Sequence, residues 1–369
     1  MDVLTALRDA NREREDDVKL AGNTDPGWAR RWLRGLGALV LATVLAGAVP
    51  PSCSPERGDL RIVVISDLNG SYGSTEYEPE VHQAVRMIRD AWRPDLVLAA
   101  GDLIAGQRPS LSDSTVLAMW SSFDAAVAAP LRAAKIPFGF TIGNHDGSAG
   151  AAHRRDRDFA ARHWRAPGRG TGVEFVDSTH FPFYYSFRQG GVFVLVWDAS
   201  FAGTVGELPM MGWVGEQLAG EPARGARYRL VLGHLPLYAV AEGRNRPGEV
   251  LQEPDSLRGI LERQRVHGYI SGHHHAYYPG RKGALQLLHA GALGQGARQL
   301  IGSAAPPRQT VTVVDFFFRA DSVAYTTYAL GEGGLRVVEP GELPPTIRGI
   351  NGTITRRDLP DTATTPSNE

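Results

Sequence analysis

The chain has 369 residues, 43% of them hydrophobic and 21% charged, enough for one large core or two modest ones. A formal net charge of −1 supplies no global field toward nucleic acid or anionic lipid. The single cysteine, Cys53, excludes an intrachain disulfide and a thiolate metal cluster.

Residues 1–34 form a leader whose last stretch carries Arg30, Arg31 and Arg34. Then comes GLGALVLATVLAGAV, residues 35–49. At ~1.5 Å per residue this run spans ~22 Å, short of the ~30 Å a membrane-spanning helix needs. Basic residues, a short apolar stretch and small residues make the layout of an export signal. Cys53 follows where a bacterial lipoprotein carries its acylated cysteine, and ARRWLR resembles a twin-arginine signal. The alternative is a short signal-anchor with an incidental thiol. Residues 35–58 are thus expected to be a signal or anchor segment and linker. The protein is expected to be exported to the cell envelope or periplasm, tethered by that segment or by lipid on Cys53.

The folded domain is expected over residues 59–334. RIVVIS (61–66) reads as a buried strand, PEVHQAVRMIRDAW (79–92) as a helix, and DLVLAAGD (95–102) as a second strand ending in acid. Residues 114–134 read as a helix, IPFGFTIGNHD (136–146) as a strand, and DFAARHW (158–164) as a short helix. Residues 181–200 form a hairpin with Gln189, Gly190 and Gly191 at its turn. A helix at 210–220, a strand at 227–234, a helix at 255–266 and a strand ending in YISGHHH (269–275) follow. Residues 286–294, 310–318 and 322–330 are strand-like, and the Pro- and Thr-rich stretch 335–369 is expected to be a loosely ordered tail. Continuous apolar strands separated by helices indicate an α/β core with both sheet faces covered. Such folds place ligand sites beyond the carboxyl ends of their strands.

Five of those ends deliver oxygen or imidazole donors: Asp67 and Asn69, Asp102, Asn144 with His145 and Asp146, His234, and His273, His274 and His275. Aspartates gathered without matching basic residues repel one another, and a metal cation removes that difficulty. Carboxylate, amide and imidazole together suit Mn, Fe, Zn or Co better than Mg alone. So many donors favour two ions ~3.5–4 Å apart over one.

These blocks, SDLN, GDLIAG, GNHDG, GHLP and GHHH, stand in the order of the calcineurin-like metallophosphoesterase superfamily, which the sequence resembles over about residues 61–276. HLPLY and GHHHAYY resemble its purple acid phosphatase branch. The resemblance implies a four-layer αββα sandwich of two mixed β-sheets flanked by helices. It implies that Asp67, Asp102 and His275 bind one metal, and that Asp102 bridges to a second held by Asn144, His234 and His273. The two divalent ions would be Mn, Fe, Zn or Mg. It further implies hydrolysis of a small phosphorylated substrate by a bridging hydroxide; with a net charge of −1, no nucleic-acid partner is expected. His145 would stabilise the phosphoryl group or protonate the leaving oxygen.

Two departures stand out. Ala105 occupies the place of that branch's metal-binding tyrosine, which removes the expected coloured Fe(III) site. Asn69 replaces a histidine. It is read either as an amide ligand that weakens the first site toward Mn, Mg or Ca, or as a turn residue only. A non-catalytic binding protein with an impaired first metal site is the alternative function.

Smaller roles complete the reading. Asp146 either orients His145 or caps a loop. His274 is expected to point away from the metals. His289 is read as a packed strand histidine, and Tyr72, Tyr277 and Tyr278 as aromatic packing near the motifs. Asp198 is a candidate support for a ligand. His82, His153, His163, His180 and His267 are read as ordinary core or surface residues.

Overall fold

The structure is a computed structural model that describes residues 55–360 except Glu332. The leader, the apolar run, Cys53 and residues 361–369 lie outside the described residues.

The strands are β1 (Leu60–Ile65), β2 (Leu96–Ala99), β3 (Phe138–Phe140), β4 (Glu174–Asp177), β5 (Tyr185–Gln189), β6 (Val192–Val196), β7 (Tyr228–Leu232) and β8 (Gly268–Ser271). After them come β9 (Tyr278–Lys282), β10 (Leu285–His289), β11 (Gln309–Phe317), β12 (Ser322–Leu330), β13 (Arg336–Val337), β14 (Thr346–Gly349) and β15 (Gly352–Arg356). One six-stranded sheet has the order β13-β12-β11-β1-β2-β3, and a nine-stranded sheet runs β14-β15-β9-β10-β8-β7-β6-β5-β4. Each is mixed. β1, β2 and β3 are parallel in the first, and β6, β7, β8 and β10 in the second, with antiparallel strands at their flanks.

Three apolar cores make four layers. β1 shows how: Ile62 and Val64 point into the core between the sheets, while Val63 and Ile65 point to the helices. That alternation requires a strand apolar on both faces, which is why RIVVIS carries no polar side. Helices α1 (Pro79–Met87), α2 (Asp113–Phe123) and α3 (Arg154–Arg165) cover the six-stranded sheet through Val81, Trp120, Phe123, Phe159 and Trp164. Helices α4 (Met211–Ala219) and α5 (Pro254–Arg263) cover the nine-stranded sheet through Val214, Leu218, Leu257 and Leu261. The fold is therefore the expected αββα sandwich.

The tail expectation needs correction. Residues 335–360 are built into the sheets: β13 pairs with β12, and the β14–β15 hairpin extends the nine-stranded sheet beside β9. Ile347 and Ile354 are buried in its outer core, so the domain does not stop at residue 334. The third expected strand is also shorter than read. It ends at Phe140, and Asn144–Gly147 is a helical turn.

Candidate metal centre

The carboxyl ends of β1, β2 and β3 face those of β7 and β8 across the gap between the sheets. The loops are knitted together by main-chain bonds: Asp67 N–H donates to Gly101 O at 3.0 Å and Leu68 N–H to Asp102 O at 2.9 Å. Four candidate ligands hold left-handed backbone, Asp67 (φ 50°), Asp102 (φ 54°), His273 (φ 65°) and His275 (φ 53°). Non-glycine residues adopt this at a cost of ~1–3 kcal/mol each, and such strain gathers at functional sites. The glycines beside them answer to close approach. A Cβ on Gly143 would sit 2.2 Å from Asp102 Oδ1, and one on Gly272 would sit 2.7 Å from Asp67 Oδ2.

Two overlapping groups result. One oxygen or nitrogen each from Asp67, Asp102 and His275 lie within 4.8 Å of one another, and the same holds for Asp102, His234 and His273. Asp102 is common to both, and all five residues are buried.

Hydrogen bonds fix which imidazole nitrogens face inward. His234 Nδ1 is 2.7 Å from Ala100 O, and a carbonyl can only accept, so Nδ1 carries the hydrogen and Nε2 faces the site. His275 Nδ1 is 3.1 Å from both Gln295 O and Gly296 O, which turns Nε2 toward Asp67 Oδ1 at 3.3 Å. His273 Nε2 lies 2.9 Å from Glu249 Oε2, which leaves Nδ1 facing His234 Nε2 at 3.2 Å. Around His234 Nε2 there also stand Asn144 Oδ1 at 2.9 Å and Asp102 Oδ2 at 3.3 Å. Lone pairs thus converge from four residues, an arrangement that needs a cation between them.

In protein alone a proton takes that role. Burial opposes the His234 imidazolium, yet Asp102 and Asp67 raise its pKa to about 9. Burial likewise opposes charge on Asp67, but His275 and His234 hold it below the usual carboxylate range. Asn69 supplies a further test of fit. It is 5% exposed, and among the described residues its buried Oδ1 has no hydrogen-bond partner. An orphaned buried amide oxygen costs ~1–3 kcal/mol unless something accepts its lone pair, and a cation does so. The donor set suits divalent metal ions.

Other expected residues fall into place. The His145 main-chain N–H donates to Asp102 Oδ1 at 2.9 Å, and its ring Nε2 lies 4.0 Å from Asp102 Oδ2. Tyr72 stacks on that ring at 5.1 Å, and Gly106 O is 3.2 Å from Nδ1. Asp146 does not reach His145 by a hydrogen bond. It accepts from the N–H groups of Leu103, Ile104 and Gly143 at 2.8–3.0 Å, so it caps the loops, and burial with nearby Asp102 raises its pKa to about 7. His274 points away, between Val240 N–H and Glu249 O, and His289 is packed between two main-chain carbonyls. Asp198 bonds Arg157 and Ser200, and Tyr278 reaches Pro344 O.

Sequence reasoning missed Glu249 and Arg244 on the loop after His234, and Gln107, whose Oε1 accepts from Asn144 Nδ2 at 2.7 Å. The run GRNRPGE did carry a signal, two arginines spaced to meet one glutamate. A cleft of about 360 Å³ opens on this side, lined among others by Tyr72, Asn144, His145, Phe201, Arg244 and His273.

Two mixed sheets thus bring Asp, Asn and His from opposed strand ends into one candidate metal centre. A calcineurin-like phosphoesterase model matches residues 60–277, more than half of the chain, and the chain belongs to that family. No curated protein matches it. Among solved structures, a purple acid phosphatase from yellow lupin seeds is similar at 14% identity and TM-score 0.53, over 78% of this chain and 54% of that one. This chain thus spans little more than half the length of the lupin protein. A dimetal phosphatase from Danio rerio matches at 15% identity and TM-score 0.47, over 76% of this chain and 98% of that one.

Proposed function

We propose that the protein hydrolyses a small phosphate ester with the help of two divalent metal ions, drawn from Mn, Fe, Zn and Mg. The observation that carries the reading is Asp102, shared by two acid–histidine groups whose donor atoms each lie within 4.8 Å. Asp67, Asn69, Asp102 and His275 would hold one ion, and Asp102, Asn144, His234 and His273 the other. Bound there, the ions would supply an activated water at neutral pH and neutralise charge developing on the phosphoryl group.

The chain's own groups do the rest. Ala100 O, Gln295 O and Glu249 pre-set the inward nitrogen of each histidine, so little reorganisation is left when charge develops. Gln107 takes the Asn144 amide hydrogen and leaves its oxygen inward. His145 projects Nε2 at the cleft, held from behind by Gly106 O and across its face by Tyr72. Gly106 O takes the Nδ1 hydrogen and burial lowers the ring's pKa, so Nε2 faces the cleft as an acceptor, and a proton it picks up there is readily passed to a leaving oxygen. Arg244 on the cleft wall places a cation near the anionic substrate.

Metal-stripped full-length protein should regain aryl phosphate mono- or diester hydrolysis as Mn, Fe, Zn or Mg is added, reaching its plateau near two ions per chain. Binding of one ion with no turnover would favour the binding-protein alternative, with Asn69 as the weak point. Export and tethering are a separate proposal on residues 30–53; equal palmitate labelling of wild type and Cys53→Ala would defeat lipidation.

A further inference from the structure

Glu249 lies fifteen residues beyond His234, in a loop with no catalytic motif, yet it bonds two consecutive histidines of the GHHH block. Its carboxylate Oε2 stands 2.9 Å from His273 Nε2, and its main-chain oxygen stands 3.0 Å from His274 Nε2. Val240 N–H donates to His274 Nδ1 at 3.2 Å, so His274 must carry its hydrogen on Nε2 and give it to Glu249 O. The histidine left over from the metal set thereby pins the loop to the site.

The Glu249 carboxylate is itself clamped. Arg244 Nη1 pairs with Oε2, and Arg246 donates to Oε1 through Nη2 at 2.8 Å and Nε at 3.1 Å. Glu249 is only 12% exposed at its side chain, and two guanidinium groups fix its plane. Arg244 Nη1 also comes within 3.4 Å of His273 Nε2. The 2.9 Å carboxylate contact decides the matter, because a carboxylate accepts from an N–H and repels a bare nitrogen lone pair.

We infer that Glu249 is a positioning residue for the second metal. By taking the Nε2 hydrogen of His273, the Arg-clamped carboxylate holds the tautomer whose Nδ1 faces His234 and Asp102, and it raises the basicity of that nitrogen. The other two histidines are oriented by main-chain carbonyls, which no substitution removes. Of these three histidines, His273 alone is therefore oriented by a mutable side chain. The inference rests on the two-metal reading above, though on binding and not on turnover.

The test is calorimetric titration of Mn and, separately, Zn into metal-stripped full-length protein. Wild type should show two binding events. Glu249→Ala should weaken one of them by ~10–100-fold and leave the other unchanged, the loss expected when a ligating histidine is deprived of its outer partner. Glu249→Gln, whose amide oxygen still accepts from Nε2–H, should lie between the two. Long-range proton–nitrogen NMR of the His273 ring should show the Nε2–H form in wild type and a mixture in Glu249→Ala. Two unweakened events in Glu249→Ala, or an unchanged His273 tautomer, would overturn the inference. If wild type binds two ions and hydrolyses no ester, the catalytic proposal fails while this one stands.

Discussion

The two sheets contribute different chemistry to one site. The six-stranded sheet supplies acids and amides, Asp67, Asn69, Asp102 and Asn144, while the nine-stranded sheet supplies the imidazoles, His234, His273 and His275. Neither half gathers a complete set alone. The halves meet through contacts that cross the gap: His234 Nδ1–H to Ala100 O at 2.7 Å, and His273 N–H to both Asp67 oxygens at 3.1 Å. The difference teaches that the register of two sheets, set by the apolar core between them, decides where the candidate ligands converge. Acids on one side and lone-pair nitrogens on the other also explain why each half tolerates its own crowding only when a cation lies between.

The largest effect should come from the residue that belongs to both metal groups. Asp102→Ala should abolish both tight binding events and reduce ester hydrolysis to background, a loss beyond the ~10–100-fold cost of removing an outer partner. Calorimetry that still found one wild-type site would break the idea of a shared carboxylate. Removing His145 tests the chemistry without the metals. His145→Ala should lower kcat by ~10²–10⁴-fold, as expected when a proton donor is lost, while two ions still bind. Equal loss of metal affinity would reassign the His145 ring to supporting Asp102, whose Oδ2 lies 4.0 Å from its Nε2.

The acid half was legible because each ligand follows an apolar strand and a tight turn, so strand and donor announce one another. The histidine half was legible for the same reason at His234, His273 and His275. The supports were harder. Glu249 sits in a loop without periodicity, and only the folded register of β7 and β8 brings it to His273. The β14–β15 hairpin was misread as tail because its strands are short and mostly only half-buried. Its cue was present all the same: Asn351-Gly352 between TIRG and TITR is a hairpin signal with alternating isoleucines. Pro279 hid β9, since a proline cannot donate to a ladder, and there its carbonyl accepts from Arg357 N–H at 2.8 Å.

Asn69 gives a smaller effect and a sharper comparison, because it places an amide where the family pattern has an imidazole. Asn69→His should tighten the first binding event by about tenfold, about 1.4 kcal/mol, and shift its preference from Mn toward Zn. Asn69→Ala should weaken the same event. If neither substitution moves metal affinity, the buried Oδ1 is a turn feature, and the first site rests on Asp67, Asp102 and His275 alone.

The smallest effect compares the halves away from the site. Each holds a neutral histidine. His163 on α3 is half-buried and stacks on Trp120 of α2 at 4.7 Å, and His289 is buried in the nine-stranded sheet. Burial lowers both to about 4, helped at His163 by Arg132 and resisted at His289 by main-chain bonds. The sign follows from proton counts. Between about 6.5 and about 4 the unfolded chain binds protons at these positions and the folded chain does not, so stability is present above that window and is lost as pH falls through it. His163→Phe, which keeps the stack on Trp120, should flatten part of the acid decline in thermal midpoint across that window. His289→Asn should flatten another part, at some cost in packing at neutral pH. Whichever substitution flattens the decline more identifies the half that yields first to acid, and a decline unchanged in both would show that neither histidine carries it.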